Sequence, residues 1–191
     1  MSLEDKIKWN KKYQTTPSLS QTRKASQKLI DFIKYATPNK ALDVACGTGR
    51  NSIYLAQANF AVDAIDISWI ALQRLEQKGY ENIHTMLIDL DNYIPEKNSY
   101  DLIIMSNFLD KELIPHLYNA LKRDGILIIE TYMHHNSNEK PNSNPDFLLQ
   151  KDELKTFFDN SYNILNYDEF DNESEELYKM RKQSIVIQRT Q

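Results

Sequence analysis

Acidic side chains stand near or directly after the ends of three predicted strands, and the first of these strands leads into a turn that contains two glycines. Asp43 lies near the end of an apolar strand followed by Cys46-Gly47-Thr48-Gly49, where glycine allows a tight turn and close approach of the backbone to a ligand. Asp66 and Asp89 come directly after the next two strands. Because ligands of open parallel sheets bind beyond the carboxyl ends of the strands, the three acids predict one binding site.

A glycine-rich turn followed by an acid that can accept hydrogen bonds from both hydroxyls of a ribose suits two kinds of ligand. One is a dinucleotide, and the other is a nucleoside that carries cationic groups. A dinucleotide site takes a third Gly or Ala and leaves the helix N-terminus free for a pyrophosphate, whereas this chain has Ser52 at that position. Asp43 would repel a pyrophosphate and suits a ligand with ammonium and sulfonium cations. Asp89 can accept a hydrogen bond from an adenine amino group. An NAD-dependent oxidoreductase is therefore the remote alternative.

The elements that position these residues alternate between strand and helix. Strands are predicted at 41–45, 60–65, 82–88, 100–106 and 125–132, and helices at 21–35, 50–58, 70–78, 114–123 and 151–158. The central strands are apolar along their whole length, which is typical of a parallel sheet covered on both faces. The last two strands, 162–170 and 177–188, are joined by too few residues for a parallel crossover, so we expect an antiparallel hairpin. The predicted fold class is three-layer, doubly wound α/β.

Length and composition favour one domain that handles a small molecule. The chain has 191 residues, one cysteine and a net charge of −4, so it lacks the basic surface typical of nucleic-acid binding. It has no apolar run of signal-peptide or membrane-span length. We predict a single domain over 1–191, with residues 1–36 as an N-terminal helical cover and the 133–150 loop as an active-site lid. We expect a cytoplasmic monomer or homodimer without nucleic-acid or membrane partners.

Four segments together resemble the class I S-adenosylmethionine-dependent methyltransferases. They are Leu42 to Arg50, Asp66, Asp89-Leu90 and the strand from Tyr100 to Ile104. The resemblance covers about residues 9 to 188. It implies a Rossmann-like methyltransferase fold with a seven-stranded sheet that has one antiparallel strand, and a transferase that converts S-adenosyl-L-methionine to S-adenosyl-L-homocysteine.

A shorter stretch resembles one subgroup of that family. Gly47 to Ser52 followed by Tyr54-Leu55-Ala56 is similar to the tellurite-resistance methyltransferases, and Trp9 and Tyr13 before the first long helix are similar to the same enzymes and to related small-molecule enzymes. Trp9 and Tyr13 lie four residues apart and share a helix face. One of them could contact the ligand through its ring, or both could hold the N-terminal segment to the body of the domain.

The resemblance implies a role for each position of the cofactor site. The positions assigned to the methionine part of the cofactor are Asp43 and the backbone at Ala45, Gly47 and Gly49. The positions assigned to its ribose and adenine are Asp66, Ile67, Asp89 and Leu90. Arg50 could pair with the cofactor carboxylate, with an acidic substrate or with a neighbouring acid. Ser106 and Asn107, after the fourth strand, would line the place of methyl transfer.

The candidate catalytic residues are Asn107, Tyr132 and His134. Glu130 and Tyr132 alternate along the fifth strand and face one side, which could be substrate or core. His134-His135 follow that strand, but no acid or histidine cluster at ligand spacing accompanies them, so no metal is predicted. Cys46 is interpreted as a small buried hydrophobic residue rather than a nucleophile.

The predicted acceptor is a small nucleophile that needs no base. No convincing His-Asp or Lys base stands at a strand end, and Ser106-Asn107-Phe108-Leu109 differs from the Asn-Pro-Pro-Tyr type of segment used to methylate amino groups of nucleic-acid bases. A thiolate, or an oxyanion such as tellurite or selenite, needs alignment more than proton removal. The alternatives are O- or N-methylation of another metabolite, with Tyr132 or His134 assisting, and a non-catalytic module that binds S-adenosylmethionine.

Overall fold

The computed structural model describes residues 3–20, 23–140, 144–158, 162–172, 176 and 178–190. Its strands are β1 Lys40–Val44, β2 Ala61–Asp66, β3 Ile83–Leu87, β4 Tyr100–Ser106, β5 Leu121–Tyr132, β6 Asn163–Asp171 and β7 Arg181–Gln188. Its α-helices are α1 Leu3–Thr15, α2 Gln27–Phe32, α3 Arg50–Gln57, α4 Trp69–Glu76, α5 Ile114–Ala120 and α6 Glu153–Thr156. Short 3₁₀ turns occur at Pro17–Ser20, Ile33–Tyr35, Leu90–Asn92 and Pro145–Phe147.

The strands form one seven-stranded sheet in the order β3-β2-β1-β4-β5-β7-β6. Strands β1 to β5 pair in parallel, and β7 runs antiparallel to both β5 and β6. The predicted hairpin and the single antiparallel strand are therefore confirmed. The strand order reverses between β1 and β4, which is where ligands bind in doubly wound sheets.

Helices cover both faces of the sheet, as predicted. On one face Leu29 of α2 and Leu55 of α3 pack against strand side chains such as Ile104 and Ile128. On the other face Leu117 of α5 lies in a second buried cluster with α6 and the remaining strand side chains. Successive strand residues point to opposite faces, so the helix layers separate the side chains of each strand into two sets. We call the first of these the α2/α3 face.

The predicted helix at 21–35 is correct only in its second half. Residues 21–22 lie outside the described part of the chain, residues 23–26 are not helical, and α2 begins at Gln27. Ser26 donates from its backbone N to Asn51 Oδ1 at 2.9 Å and from its Oγ to Glu130 Oε2 at 2.6 Å. These contacts with distant parts of the sequence hold the Ser26 backbone outside the helical region, at φ −49° and ψ 133°, and prevail over the local helical pattern.

Two other helix predictions extend too far. The helix predicted at 114–123 ends at Ala120, because Leu121 already pairs with Tyr100 across β4 and β5. The helix predicted at 151–158 is reduced to α6. The strand predicted at 100–106 has the same bounds in the structure. Among the described residues, no helix is long and apolar enough to span a membrane.

The N-terminal helix lies beside α4, next to the carboxyl edge of the sheet. Ser68 Oγ, at the start of α4, donates to Asn10 Oδ1 at 2.8 Å. Tyr13 packs with Ile70 and Ala71 of α4 in a small buried cluster that Trp9 adjoins. This packing brings α1 close to the turn after β1.

The predicted 133–150 loop is tied together at its two ends. His134 N donates to Leu149 O at 2.8 Å, and Leu149 N donates to Tyr132 O at 3.0 Å. Residues 141–143 of this loop lie outside the described part of the chain. The loop therefore starts and ends beside the last residues of β5, at the carboxyl edge.

Candidate functional site

The turn after β1 holds three residues with left-handed backbone conformations. Ala45, Gly47 and Gly49 have φ values of 53°, 57° and 82°. A side chain at Gly49 would overlap Leu75 of α4. Positive φ in a non-glycine residue such as Ala45 is uncommon, and such strain concentrates at functional sites. The family resemblance assigns the backbone at these three positions to the methionine part of the cofactor.

Asp66 ends β2 and joins the turn to the start of α4. Its Oδ2 accepts from Gly47 N at 2.8 Å and its Oδ1 accepts from Ser68 N at 2.8 Å. Burial raises the pKa of this carboxyl, and its backbone donors oppose that rise. A carboxylate has about four lone-pair sites, so Asp66 can still accept hydrogen bonds from ribose hydroxyls.

Tyr13 of α1 lies directly over Gly47. An added Cβ on Gly47 would stand 2.5 Å from the Tyr13 hydroxyl oxygen. Burial, and next the charge of Asp66, raise the pKa of Tyr13. The Trp9 ring centroid is 6.1 Å from that of Tyr13. Of these two aromatic residues, the structure places Tyr13 at the glycine turn and Trp9 behind it.

Asp43 is buried on the α2/α3 face and is held by the first turn of α3. Ser52 Oγ donates to Asp43 Oδ2 at 2.5 Å. Burial raises the pKa of Asp43 to about 7, although the bonds from Ser52 and the charge of Arg50 lower it. Ser52 therefore supplies a hydrogen-bond donor to the buried carboxyl of Asp43. The sequence shows no sign of this contact, because Ser52 stands where a dinucleotide motif has a small residue.

Arg50, at the start of α3, contacts the carboxyl end of β4. Arg50 Nη2 donates to Ser106 Oγ at 3.2 Å, and Nη1 donates to Lys24 O at 3.5 Å. Asn107 has a left-handed φ of 59° and donates from its backbone N to Glu130 O at 2.8 Å. Asn107 Oδ1 is buried and has no hydrogen-bond partner among the described residues. An unpaired buried amide oxygen beside the switch point can accept a hydrogen bond from a ligand.

The predicted adenine side lies between the ends of β2 and β3. Ile67 and Leu90 are buried, whereas Asp89 is exposed and its Oδ1 accepts from Asp91 N at 3.2 Å. Ile88 N donates to Asp66 O at 3.0 Å, which fixes the end of β3 against β2. The two apolar side chains and the exposed acid therefore border the same edge as Asp66.

The two candidate catalytic residues of β5 and its loop differ in environment. Tyr132 is half-buried on the α2/α3 face, and Lys182 Nζ lies 5.2 Å from its ring centroid. His134 is exposed beyond the end of β5. Among the described residues, no three His, Cys, Asp or Glu side chains come together as a metal site. Cys46 lies in the buried apolar cluster of the α2/α3 face, which confirms that it packs as a hydrophobic residue. Burial also raises the pKa of its thiol well above the ordinary value.

A buried polar network next to Asn107 was missed by the sequence analysis. Lys182 Nζ lies 3.0 Å from Glu130 Oε1, and the two side chains are 0% and 2% exposed. Glu130 Oε2 accepts from Ser26 Oγ at 2.6 Å. The alternation along β5 indicates that Glu130 and Tyr132 share a face. The sequence does not show that Lys182 and Ser26, which are distant in the chain, are the partners of Glu130 on that face.

The fold defines a doubly wound α/β protein, and the residues described above form its candidate cofactor site at the switch point between β1 and β4. The sequence model described as Tellurite resistance protein TehB matches residues 1–188. The chain therefore belongs to the TehB family, which confirms the resemblance noted in the sequence.

Individual relatives agree with this assignment. A protein of Haemophilus influenzae named "Probable S-adenosyl-L-methionine-dependent methyltransferase TehB" is 29% identical over 172 residues, which cover 84% of this chain and 56% of that protein. The crystal structure of TehB from Haemophilus influenzae has a TM-score of 0.76 and 26% identity, over 95% of this chain and 66% of that one. This chain thus spans little more than half the length of the curated relative.

A more distant structure shows the same fold over its whole length. Magnesium protoporphyrin IX methyltransferase from Synechocystis PCC 6803 with bound SAM has a TM-score of 0.65 and 18% identity, over 99% of both chains. The Rossmann-like methyltransferase fold predicted from the sequence is therefore confirmed.

Proposed function

We propose that this chain transfers the methyl group of S-adenosylmethionine to a small acceptor that is soft or already ionised, such as a thiolate, tellurite or selenite. The observation that carries the proposal is the hydrogen bonding that ties Asp66 to the left-handed turn after β1 at Gly47, and Asp43 to the first turn of α3 at Ser52. The names of the relatives agree with this class of reaction. Because the chain spans only part of those relatives, the activity is proposed for this chain on its own residues.

The residues at the edge fit the two ends of this cofactor. Asp43 is a buried carboxylate beside the turn, and a ligand ammonium would favour its charged form over the neutral form that burial favours. Asp66 has lone pairs left for the ribose hydroxyls. Ile67 and Leu90 offer apolar surface for a ring. When bound, the cofactor would supply a methyl group on a sulfonium, whose carbon a nucleophile attacks in line while S-adenosylhomocysteine leaves.

The edge is better suited to aligning an acceptor than to removing a proton from it. Tyr13 is buried with a raised pKa, so it is a poor base at neutral pH. His134 is exposed beyond the strand. Alignment and exclusion of water can supply most of the catalysis when the nucleophile is already ionised. These environments favour thiolates and chalcogen oxyanions over neutral alcohols and amines as acceptors.

An acceptor screen tests the proposal. The purified chain would be incubated with methyl-labelled S-adenosylmethionine and with separate panels of thiols, tellurite, selenite, small amines, small alcohols, RNA and protein. We expect label in thioethers from the thiols and in methylated oxyanions from tellurite and selenite, with S-adenosylhomocysteine formed in equal amount. Transfer to RNA or protein alone would contradict the small acceptor, and transfer to amines or alcohols alone would replace the soft nucleophile with O- or N-methylation. Cofactor binding without any transfer would indicate a non-catalytic module.

A further inference from the structure

The Glu130–Lys182 pair is the most deeply buried ion pair whose geometry the structure gives. Lys182 is 0% exposed and Glu130 is 2% exposed, with 3.0 Å between Nζ and Oε1. Replacing such a pair with well-packed apolar side chains of similar volume is often neutral or stabilising, because desolvation offsets the attraction between the charges. Stability alone therefore gives no reason for two charges at this place.

The second oxygen of the Glu130 carboxylate holds the N-terminal part of the chain. Oε2 accepts from Ser26 Oγ at 2.6 Å, and Ser26 N donates to Asn51 Oδ1 at 2.9 Å. Ser26 immediately precedes α2 and lies on the segment that connects it with α1. A hydrogen bond to a charged group is stronger than one between neutral groups, so Glu130 is a firm anchor for this segment.

The same residue also positions the predicted place of methyl transfer. Glu130 is paired with Ser106 across β5 and β4, and its carbonyl oxygen accepts from Asn107 N at 2.8 Å. The backbone of Glu130 thus holds Asn107, while its side chain holds Ser26. Lys182 fixes the rotamer of that side chain from the neighbouring strand β7.

Ser26 is connected through the N-terminal segment to the residues that overlie the cofactor site. Thr48 Oγ1, in the turn after β1, donates to Leu19 O at 3.1 Å. Tyr13 covers Gly47 in the same turn. The N-terminal segment is therefore attached on one side to the glycine turn and on the other to Glu130.

We propose that Glu130, Lys182 and Ser26 are positioning residues, which set the distance between the N-terminal segment over the cofactor site and Asn107 at the acceptor site. This inference rests on the proposed methyl transfer. Loss of the Ser26–Glu130 bond leaves Asp43 and Asp66 in place but lets the segment move relative to Asn107. Small misplacements of reacting groups can reduce turnover about a hundredfold, so the effect falls mainly on kcat rather than on cofactor affinity.

Three variants separate positioning from stability. Ser26→Ala removes the hydroxyl and keeps the ion pair. Glu130→Leu with Lys182→Met replaces the pair with apolar side chains of similar volume. Lys122→Met is the matched control, because Lys122 Nζ pairs with Asp101 Oδ2 at 2.8 Å at the amino end of β4, far from the site.

The measurements are hydrogen exchange of residues 3–20, calorimetric affinity for S-adenosylmethionine, and kcat and KM with tellurite or whichever acceptor the screen identifies. We expect exchange of residues 3–20 to rise about tenfold in Ser26→Ala and in the double variant, as for loss of one charge-assisted hydrogen bond. We expect kcat to fall about tenfold to a hundredfold, with cofactor affinity changed less than about threefold because the predicted ligands remain. Lys122→Met should change neither exchange nor kcat.

Unchanged exchange and unchanged kcat in both site variants would overturn the inference. An equal loss in Lys122→Met would also overturn it, because the effect would then follow general stability. If the wild-type chain binds no S-adenosylmethionine, the proposed function fails. The exchange of residues 3–20 would still show whether Ser26 and Glu130 anchor the segment.

Discussion

Gly47 N donates a hydrogen bond of 2.8 Å to Asp66 Oδ2. This bond joins the turn after β1 to the acid at the end of β2, so the two predicted cofactor positions behave as one unit. The Tyr13 hydroxyl closes over the same glycine. The shape of the site therefore depends on the absence of a side chain at Gly47.

Gly47→Ala should weaken cofactor binding more than backbone strain alone would weaken it. Gly47 has a φ of +57°, and its new Cβ would stand 2.5 Å from the Tyr13 hydroxyl oxygen. We expect the affinity for S-adenosylmethionine, measured by calorimetry, to fall at least about tenfold because Tyr13 and the turn must separate.

Gly79→Ala is the matched control for this substitution. Gly79 has a φ of +73° with no atom within 4 Å of an added Cβ. In both variants an alanine must adopt a left-handed backbone conformation, which costs about 1–2 kcal/mol. Only Gly47→Ala also displaces Tyr13. Equal affinities in the two variants would show that Tyr13 does not limit the space at the turn.

Asp43→Asn should change the pH dependence of stability. Burial raises the pKa of Asp43 from 3.8 to about 7 in the folded state. Its stabilising contribution is therefore complete below about pH 4 and is lost as the pH rises through about 7. We expect the Tm of the variant to rise relative to that of the wild type between pH 5 and pH 8, in thermal unfolding followed by circular dichroism.

Asp31→Asn, on the exposed side of α2, is the control for that series. Because burial raises the pKa of Asp43 to about 7, and a ligand ammonium favours the carboxylate, cofactor binding near pH 6 to 7 should release a proton from Asp43. Calorimetry in two buffers with different ionisation enthalpies measures that release. A Tm difference that is flat with pH would contradict the raised pKa.

Asn107→Gly should reduce methyl transfer without weakening cofactor binding. Glycine tolerates the φ of 59° at this position, so the variant removes the buried amide oxygen without adding strain. We expect kcat to fall about tenfold or more, as for loss of one transition-state contact. Asn59→Gly, at φ 66° after α3, supplies a control with the same backbone change. A non-catalytic module would show no effect of Asn107→Gly on any measured property.

The fold could be predicted more completely than the site. Strand periodicity is visible in neighbouring residues, whereas the hydrogen-bond partners of buried polar side chains lie far away in the sequence. The strand at 100–106 could be predicted because its centre, Leu102 to Met105, is a local apolar run. The helix prediction failed at Ser26, whose amide and hydroxyl bond to residues 25 and 104 positions away. The ion pair of Lys182 could not be predicted for the same reason, since its partner Glu130 lies 52 positions away.

Cys46 should react slowly in the native protein. Its thiol is buried, and burial together with the charges of Asp66 and Asp43 raises its pKa. We expect iodoacetamide to alkylate the folded chain at pH 8 at least about a hundredfold more slowly than the unfolded chain, since the thiolate is the reactive form. Cys46→Ala should keep methyl transfer within about twofold. Rapid native alkylation with loss of transfer would make Cys46 part of the reaction.

The most direct test of the central claim is titration calorimetry of the purified chain with S-adenosylmethionine, S-adenosylhomocysteine and NAD in parallel, with Asp66→Ala beside the wild type. We predict binding of the first two ligands with roughly micromolar affinity, no binding of NAD, and loss of both interactions in the variant. Binding of NAD alone would contradict the account and would make the chain a nicotinamide-dependent protein.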